Sequence, residues 1–433
     1  MKCGLCREVC PVFLETGHEA MVARGRVQLL KALLENRLDL SDGLRDRIYA
    51  CLSCNACHVI CPCGIEVEEL ILASREAMVR AGKPLPESQQ TLRDRIVGEQ
   101  NPFGEKRGER AAWLPEKYRK PRPSPVVLHA GCAISYANNR VGRMILQILE
   151  MAGADFMMMG DEEECCGDPI LRMGDVERAQ AQRRRTSDAY RQWGVETIVT
   201  PCAGCLKMFK HYYAQPATTQ DSALSTQHSA TGLRLQATGD RRQATDDRLQ
   251  ATGDRRQATD YELQAAAQTP RSEASSPKPV ACSLKPVASS LQPSFRVLHT
   301  IEWFAEMLAD GRLKPRQNLA KRIAYLDGCD IGRHSGVFEP PRQVLRAIPG
   351  VELVEFPAHH ESSRCCGGPL MAGDPAMAAS IASKRVREAL DAGAEMIAVA
   401  CPTCFINLKE GANRAGVKIE IQDVTALLHR TLK

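Results

Sequence analysis

The sequence lacks several features that would place it in common functional classes. It contains no run of about eighteen apolar residues, so it does not predict a membrane-spanning helix, and no apolar segment near its start resembles a secretion signal. Charge of one sign is scarcely in excess, with 57 Lys and Arg against 52 Asp and Glu. The scattered basic residues do not favour a nucleic-acid partner. No G-x-G-x-x-G follows a predicted strand and no G-x4-G-K-[ST] occurs, so no nucleotide or flavin cradle of those two types is expected.

Cysteine, in contrast, is abundant. The chain has 19 cysteines, and all but one fall into four spaced clusters. A disulfide scaffold would be short and loop-rich, whereas this chain is long and shows helical patterns. The cysteines therefore predict a reducing, cytoplasmic location, with peripheral attachment to the inner face of a membrane as a further option.

One cluster has the spacing C-x2-C-x2-C-x3-C-P and comprises Cys51, Cys54, Cys57 and Cys61. This is the ligand run of a cubane [4Fe–4S] cluster in bacterial-type ferredoxins, where the fourth cysteine binds a second cluster. Thiolates are soft ligands that suit iron–sulfur clusters. A zinc site would need only two cysteine pairs. The run therefore predicts electron transfer.

The chain begins with the last three cysteines of a second such run, Cys3, Cys6 and Cys10. Either the chain start lies upstream and the fourth cysteine is missing, or this is a three-cysteine site for a [3Fe–4S] cluster or a cube with a non-protein ligand. Crossed ligation assigns Cys3, Cys6 and Cys61 to cluster 1, whose fourth ligand is missing. Cluster 2 takes the other four cysteines: Cys51, Cys54, Cys57 and Cys10. Cys63 has no assigned role.

A cysteine-rich module then occurs twice. Each copy has one cysteine, a later Cys-Cys-Gly, and a final C-x2-C. The first copy comprises Cys132, Cys165, Cys166, Cys202 and Cys205, and the second comprises Cys329, Cys365, Cys366, Cys401 and Cys404. Five thiolates exceed the four ligands that zinc takes. A metal cluster is therefore favoured, and zinc on four of the five remains the alternative.

Each copy alternates short apolar runs with helical patterns, which predicts parallel α/β sheets. Strands are expected at 126–128, 154–159 and 197–200 in the first copy, and at 323–326, 351–356 and 396–400 in the second. Since ligands bind beyond the carboxyl ends of parallel strands, the cysteines that follow these strands should converge at one edge. Near the N-terminus, helices are predicted over 12–36 and 66–81.

These motifs resemble the iron–sulfur proteins of the heterodisulfide reductase and glycolate oxidase iron–sulfur subunit superfamily. Smaller matches support the resemblance: Ala23–Arg26, Asn101–Gly104, Trp113 and His299–Trp303. The resemblance implies a two-cluster ferredoxin domain followed by two "CCG" cysteine-rich domains. In heterodisulfide reductases it implies noncubane [4Fe–4S] clusters that cleave disulfides at the CCG sites. The second copy falls one residue short of that motif in its second gap.

The expected fold class is α+β: a mainly helical two-[4Fe–4S] ferredoxin-like domain, then two α/β CCG domains with small parallel sheets. The ferredoxin-like domain spans 1–85 and a connector spans 86–124. The first CCG domain spans 125–213 plus 294–315, and the second spans 316–433. The low-complexity insertion at 214–293 has few large apolar residues and is expected to be disordered.

The leading function hypothesis is an electron-transfer subunit of an oxidoreductase, rather than a complete enzyme. It would pass electrons from an FAD-linked dehydrogenase of the glycolate or lactate type to a quinone or another acceptor. The flavin is expected on that partner, because a hydroxy-acid dehydrogenase needs a hydride acceptor. A membrane quinone-linked partner is also considered. The alternative is a catalytic disulfide-reducing subunit whose catalytic centres are the CCG clusters, and a zinc scaffold is the third hypothesis.

Overall fold

The structure is a computed structural model and describes residues 3–213 and 295–432. The insertion expected at 214–293 lies outside the described residues.

The N-terminal region is helical and buries a small apolar core. The helix predicted over 66–81 is confirmed at Val67–Arg80. The helical pattern predicted over 12–36 is confirmed as two helices, because Gly17 adopts φ +67° and ends the first of them. Its helices are Cys6–Val9, Pro11–Thr16, Ala23–Leu34, Asp42–Tyr49, Ala56–Val59 and Val67–Arg80, with a 3₁₀ turn at Glu19–Met21.

The connector lies between this region and the first sheet. It contains the helix Glu87–Glu99 and two 3₁₀ turns, Arg107–Glu109 and Glu116–Tyr118. Trp113 is buried against Gly142, where a Cβ would lie 2.6 Å from the indole ring. The glycine thus allows the connector to pack tightly on the first cysteine-rich copy.

The first copy forms a three-stranded parallel sheet in the order β1-β2-β3. These strands are Val126–Leu128, Thr197–Thr200 and Arg296–His299. The strand predicted at 154–159 is reduced to a single bridge between Val127 and Met157. It stops there because the chain turns at Gly160, which has φ +58° and approaches the backbone of Arg119.

The second copy forms a four-stranded parallel sheet in the order β5-β4-β6-β7. The strands β4, β5, β6 and β7 are Lys321–Tyr325, Val351–Val354, Met396–Val399 and Glu420–Asp423. The three strands predicted here are confirmed. Strands β3 and β7 were not predicted; both are edge strands with one buried face.

Helices cover the two sheets. Equivalent long helices are capped alike: the Asp175 side chain accepts from Arg178 N, and the Asp374 side chain accepts from Met377 N. No helix in the described ranges is long and apolar enough to cross a bilayer. The helices are Asn139–Met151, Asp168–Arg172, Val176–Gln192, Ala203–Met208, Thr300–Ala309, Glu339–Arg346, Pro375–Asp391, Pro402–Ala415 and Val424–Thr431, with π-helical turns at Ala133–Ala137 and Phe209–Tyr213. Further 3₁₀ turns are Gly160–Glu162, His360–Ser362 and Gly368–Leu370.

Candidate iron–sulfur centres

The structure brings the five cysteines of the first copy together at the carboxyl edge of the sheet. Cys202 lies two residues after the end of β2, and Cys205 lies in the first turn of the helix Ala203–Met208. Hydrogen bonds join Cys132 to Cys165 and Cys166 to Cys205. Four of the five are buried and Cys202 is half-buried.

The second copy repeats these thiol contacts at equivalent positions. Cys329 is hydrogen-bonded to Cys365, and the sulfurs of Cys366 and Cys404 lie 3.2 Å apart. Cys401 precedes the helix Pro402–Ala415, as Cys202 precedes its own helix. All five cysteines are buried.

The backbone conformation after each Cys-Cys pair favours glycine at the next position. Gly167 and Gly367 have φ +90° and +87°, a left-handed conformation that glycine adopts readily. In the second copy this turn points backbone amides at sulfur, since Gly367 N donates to Cys365 Sγ and Gly368 N to Cys366 Sγ, both at 3.4 Å. Such bonds stabilise thiolate and tune the potential of a cluster.

In each copy, hydrogen bonds from neighbouring thiols lower the pKa of one cysteine. The hydrogen bond from Cys165, followed by that from Cys205, lowers the pKa of Cys166 to about 7. The equivalent Cys366 pKa is also lowered, chiefly by Cys365 and then by Cys404. Each copy therefore presents a thiol that ionises readily, as a metal ligand must.

A buried cation lies at the first site. Arg110 is 1% exposed, and it donates to Cys132 Sγ at 3.2 Å and to Glu163 Oε1 at 2.9 Å. Glu163 also accepts from the backbone amides of Ala130 and Gly131, both at 2.9 Å. This network fixes the loop before Cys132 and offsets negative charge on its sulfur.

The second site instead contacts the ferredoxin-like region. Cys54 is hydrogen-bonded to Cys365, which lowers the pKa of Cys54 to about 6. Arg333 Nε donates to Cys54 O at 2.7 Å, and His334 Nε2 lies 3.0 Å from Ser53 O. The loop that carries Cys54 is thus held against the second copy.

Within the ferredoxin-like region, the four cysteines predicted for cluster 2 line one small cavity of about 30 Å³: Cys10, Cys51, Cys54 and Cys57. Of the cysteines predicted for cluster 1, Cys3 is exposed whereas Cys6 and Cys61 are half-buried. The helix that begins at Cys6 packs on the helix that contains Cys57. Cys63 is exposed.

A larger cavity of about 420 Å³, which we call the interdomain cavity, lies between the two copies. Nine of their ten cysteines line it, together with Cys51; the tenth, Cys365, contacts Cys54. Arg172 joins the copies because its Nη2 donates to both carboxylate oxygens of Asp330, at 2.7 and 2.8 Å, and its Nε donates to Asp168 at 2.8 Å.

A second ion pair ties the ferredoxin-like region to this junction. Glu68 pairs with Lys207 and lies 3.3 Å from His334. Sequence reasoning did not predict these charged residues. The available signal was position, because Asp168, Lys207 and Asp330 stand one or two residues after a predicted ligand.

The donor set fits iron–sulfur clusters. In the described part of the chain, no three Cys, His, Asp or Glu side chains are arranged to hold one metal ion. The fit therefore rests on donor chemistry: five thiols in each copy, a buried arginine at Cys132, and amides directed at sulfur.

Comparison with known proteins agrees with this chemistry. The cysteine-rich CCG domain matches residues 126–210 and 323–409, and a 4Fe-4S dicluster domain matches residues 1–65. One subunit of the dihydromethanophenazine:CoB–CoM heterodisulfide reductase of Methanosarcina acetivorans is 26% identical, over 100% of this chain and 93% of the relative. One subunit of the fumarate reductase (CoM/CoB) of Methanothermobacter marburgensis is 22% identical, over 99% of this chain and 71% of the relative.

Two further matches extend the comparison. EtfAB:quinone oxidoreductase of Syntrophomonas wolfei is 24% identical over 90% of this chain, which spans about half of that relative (47%). A crystal structure of a hypothetical protein from Helicobacter pylori shares the fold at a TM-score of 0.55, with 9% identity over 96% of this chain and 69% of that chain. The predicted fold class, resemblance and iron–sulfur cofactors are confirmed. The chain belongs to the iron–sulfur oxidoreductase subunits that join a 4Fe-4S dicluster domain to two CCG domains, a group that includes the matched heterodisulfide reductase subunit.

Proposed function

We propose that this chain carries electrons between a flavoprotein dehydrogenase of the glycolate or lactate type and a quinone or other acceptor. The observation that supports this most is the contact between Cys54 of the dicluster domain and Cys365 of the second CCG domain. Electron transfer weakens steeply with distance, so two redox sites in contact through their ligands form an efficient path.

Specific cysteines would hold the clusters. Cys10, Cys51, Cys54 and Cys57 would bind one ferredoxin-type cluster, and Cys3, Cys6 and Cys61 would supply ligands to the other. Each CCG domain would use its five cysteines. When bound, the clusters supply one-electron oxidation and reduction at iron.

The other residues of the chain fix and neutralise these sites. Arg75 donates to the carbonyls of Ile48 and Cys51 at 3.0 and 2.7 Å, which holds the start of the second ferredoxin motif. Arg333 holds the middle of that motif at Cys54. Arg110 offsets negative charge at Cys132.

A partner would supply the flavin. The name EtfAB:quinone oxidoreductase couples EtfAB to quinone, and the relative in Methanosarcina acetivorans is named as one subunit of its enzyme. The absence of the two common cradle motifs from this sequence agrees with a flavin held elsewhere. The acceptor would bind in the interdomain cavity. We also propose a reducing, cytoplasmic location, which agrees with the cysteine content.

Disulfide reduction is the second candidate. It is favoured because both CCG sites open on the interdomain cavity. The match to the heterodisulfide reductase of Methanosarcina acetivorans, which extends over 93% of the matched subunit, also supports it. In this case the chain would be catalytic, and the cavity would bind a disulfide.

Anaerobic purification of the tagged full-length chain with its natural partner separates the two candidates. Stoichiometric flavin in the complex, and bleaching of the clusters by glycolate or lactate, would support electron transfer from a flavoprotein. Reduction of the CoB–CoM heterodisulfide by the flavin-free chain with reduced viologen, with no response to 2-hydroxy acids, would replace it with the disulfide function.

A further inference from the structure

The segment Asn101–Gly104 contains no cysteine, yet it borders the interdomain cavity. The buried Asn101 side chain holds this loop through four hydrogen bonds. Its Nδ2 donates to Glu99 O and Glu105 O at 2.9 and 2.7 Å, and its Oδ1 accepts from Phe103 N and Glu105 N at 3.0 and 3.2 Å. The loop conformation is therefore fixed by its own sequence.

This loop gives the cavity an apolar wall on its open side. Phe103 lines the cavity and is 37% exposed, and its ring centroid lies 6.4 Å from that of Tyr136. Leu92 of the connector and Leu52 of the dicluster domain also line the cavity. A large exposed aromatic ring at a cavity edge favours contact with an apolar ligand.

The connector also contributes the cavity's free charge. Five charged side chains line it. Arg172 pairs with Asp168 and Asp330, and Arg75 donates to backbone carbonyls. Within residues 3–213 and 295–432, only Arg95 among the five makes no hydrogen bond or ion pair. An exposed guanidinium of this kind can bind an anion through two parallel hydrogen bonds.

Gly104 provides the space in which Arg95 lies. A Cβ at this position would approach Cγ and Cδ of Arg95 to 3.2 Å and Nε to 3.3 Å. Gly104 also has φ +76°, which disfavours a larger residue. The loop that presents Phe103 therefore also accommodates the cation.

We propose that Arg95 determines specificity in the interdomain cavity, and that its ligand is a small molecule with an apolar body and an anionic group. The CCG clusters would occupy the part of the cavity next to the cysteines, so this ligand would bind in the outer part, beside Arg95 and Phe103. The buried cysteines mark the inner side, whereas Arg95 and Phe103 are exposed and mark the entrance. This inference rests on the proposed function, and it narrows the acceptor to a molecule with an anionic group, which a neutral quinone lacks.

A pair of probes with the same ring system tests the assignment. Calorimetry on the anaerobically reconstituted full-length protein compares 8-anilinonaphthalene-1-sulfonate, which is anionic, with neutral N-phenyl-1-naphthylamine. We expect Arg95→Gln to weaken binding of the anionic probe about tenfold, or about 1.4 kcal/mol, and to leave the neutral probe unchanged. Arg95→Lys should restore part of the affinity. The control Lys83→Gln removes an exposed charge outside the cavity lining and should affect neither probe.

Phe103→Ala provides a second, independent variant. It should weaken both probes by similar factors, because it removes apolar contact and no charge. The inference is overturned if the anionic probe does not bind the unsubstituted protein, or if Arg95→Gln leaves its affinity unchanged or weakens both probes equally.

A separate turnover assay with reduced viologen as the electron donor distinguishes a failure of the Arg95 assignment from a failure of the proposed function. Probe discrimination without electron transfer to quinone or disulfide would overturn the function and retain the assignment of Arg95. Turnover without probe discrimination would retain the function and overturn the assignment of Arg95.

Discussion

The two CCG domains share a core of thiol contacts but differ in what surrounds it. In the first, the buried Arg110 donates to Cys132. In the second, Cys365 contacts Cys54 of the dicluster domain. The comparison teaches that the repeated motif specifies the donor set, whereas the neighbouring chain decides the role of each site. The contact between Cys54 and Cys365 is the one on which the proposed electron path depends, whereas the cation at the first site comes from the connector.

The sheets differ in the same way. The second domain has a complete edge strand at Val351–Val354, whereas the first has only the bridge at Met157. The lost strand pairing leaves room for the connector, which packs here through the approach of Arg119 to Gly160. The connector also carries Arg110 to the first site.

The largest expected effect comes from breaking the contact that only the second domain makes. Cys54→Ser should slow reduction of the second CCG site by more than about 100-fold, since changes even to outer partners of metal ligands cost about 10–100-fold. Stopped-flow spectroscopy with freeze-quench electron paramagnetic resonance measures this rate. Cys63→Ser, at an exposed cysteine, is the matched control. An unchanged rate in Cys54→Ser would remove the asymmetry between the domains.

The buried arginines offer a second comparison. Arg110 pairs with Glu163, and Arg342 pairs with Asp327 at 2.8 Å. Arg110→Met and Arg342→Met should each cost about 3–5 kcal/mol in the free energy of unfolding, because each removes the cationic partner of a buried carboxylate. Urea unfolding measures this cost. Only Arg110→Met should also shift the redox potential of the CCG centres, since Arg110 donates to a cysteine; equal shifts in both variants would contradict this difference.

The junction between the domains should contribute less. A double-mutant cycle of Arg172→Met and Asp330→Asn should give a coupling energy of about 1–3 kcal/mol, because both side chains lie largely out of solvent. The control cycle uses the exposed pair Arg296 and Glu306, which should couple by less than about 1 kcal/mol. Equal couplings would show that the ion pair does not hold the domains together.

The smallest predicted effect is on the pH dependence of stability, and it has opposite signs in the two domains. His299 and Asp423 cap equivalent helices after the last strand of each sheet. Burial lowers the pKa of His299 to about 3 and raises that of Asp423 to about 6. Since an unfolded His ionises near 6.5, the His299 contribution to stability falls as the pH drops below about 6.5. An unfolded Asp ionises near 3.9, so the Asp423 contribution improves as the pH drops from about 6 to about 4.

Unfolding of His299→Asn and Asp423→Asn at pH 7 and pH 5 tests these signs. Relative to the unsubstituted protein, His299→Asn should gain about 2 kcal/mol on acidification, and Asp423→Asn should lose about 1 kcal/mol. If acidification changed the relative stability of both variants in the same direction, the opposite pKa shifts of the two caps would be contradicted.

The sequence predicts the elements whose signals are local. Apolar runs identified β1, β2, β4 and β6, because buried parallel strands are rich in apolar residues. Strand β5 was also predicted, although it is an edge strand with no buried residue. Edge strands β3 and β7 have only one buried face and gave a weaker pattern. The strand expected at 154–159 failed because a tertiary contact at Gly160 overrides an apolar run.

The cysteines of the site could be found from sequence because their spacing is itself the signal. Their charged partners could not, because the contacts are distant along the chain. Arg110 and Glu163 are 53 residues apart, Arg172 and Asp330 are 158 apart, and the bond from Arg333 to Cys54 spans 279. Only folding brings these groups together.

Iron and sulfide analysis of anaerobically reconstituted full-length protein, with electron paramagnetic resonance, tests the central claim most directly. Filled dicluster and CCG sites predict about sixteen irons with matching sulfide, at four irons per cluster. About eight irons would leave the CCG sites without clusters, and a colourless, iron-free protein would contradict the account altogether.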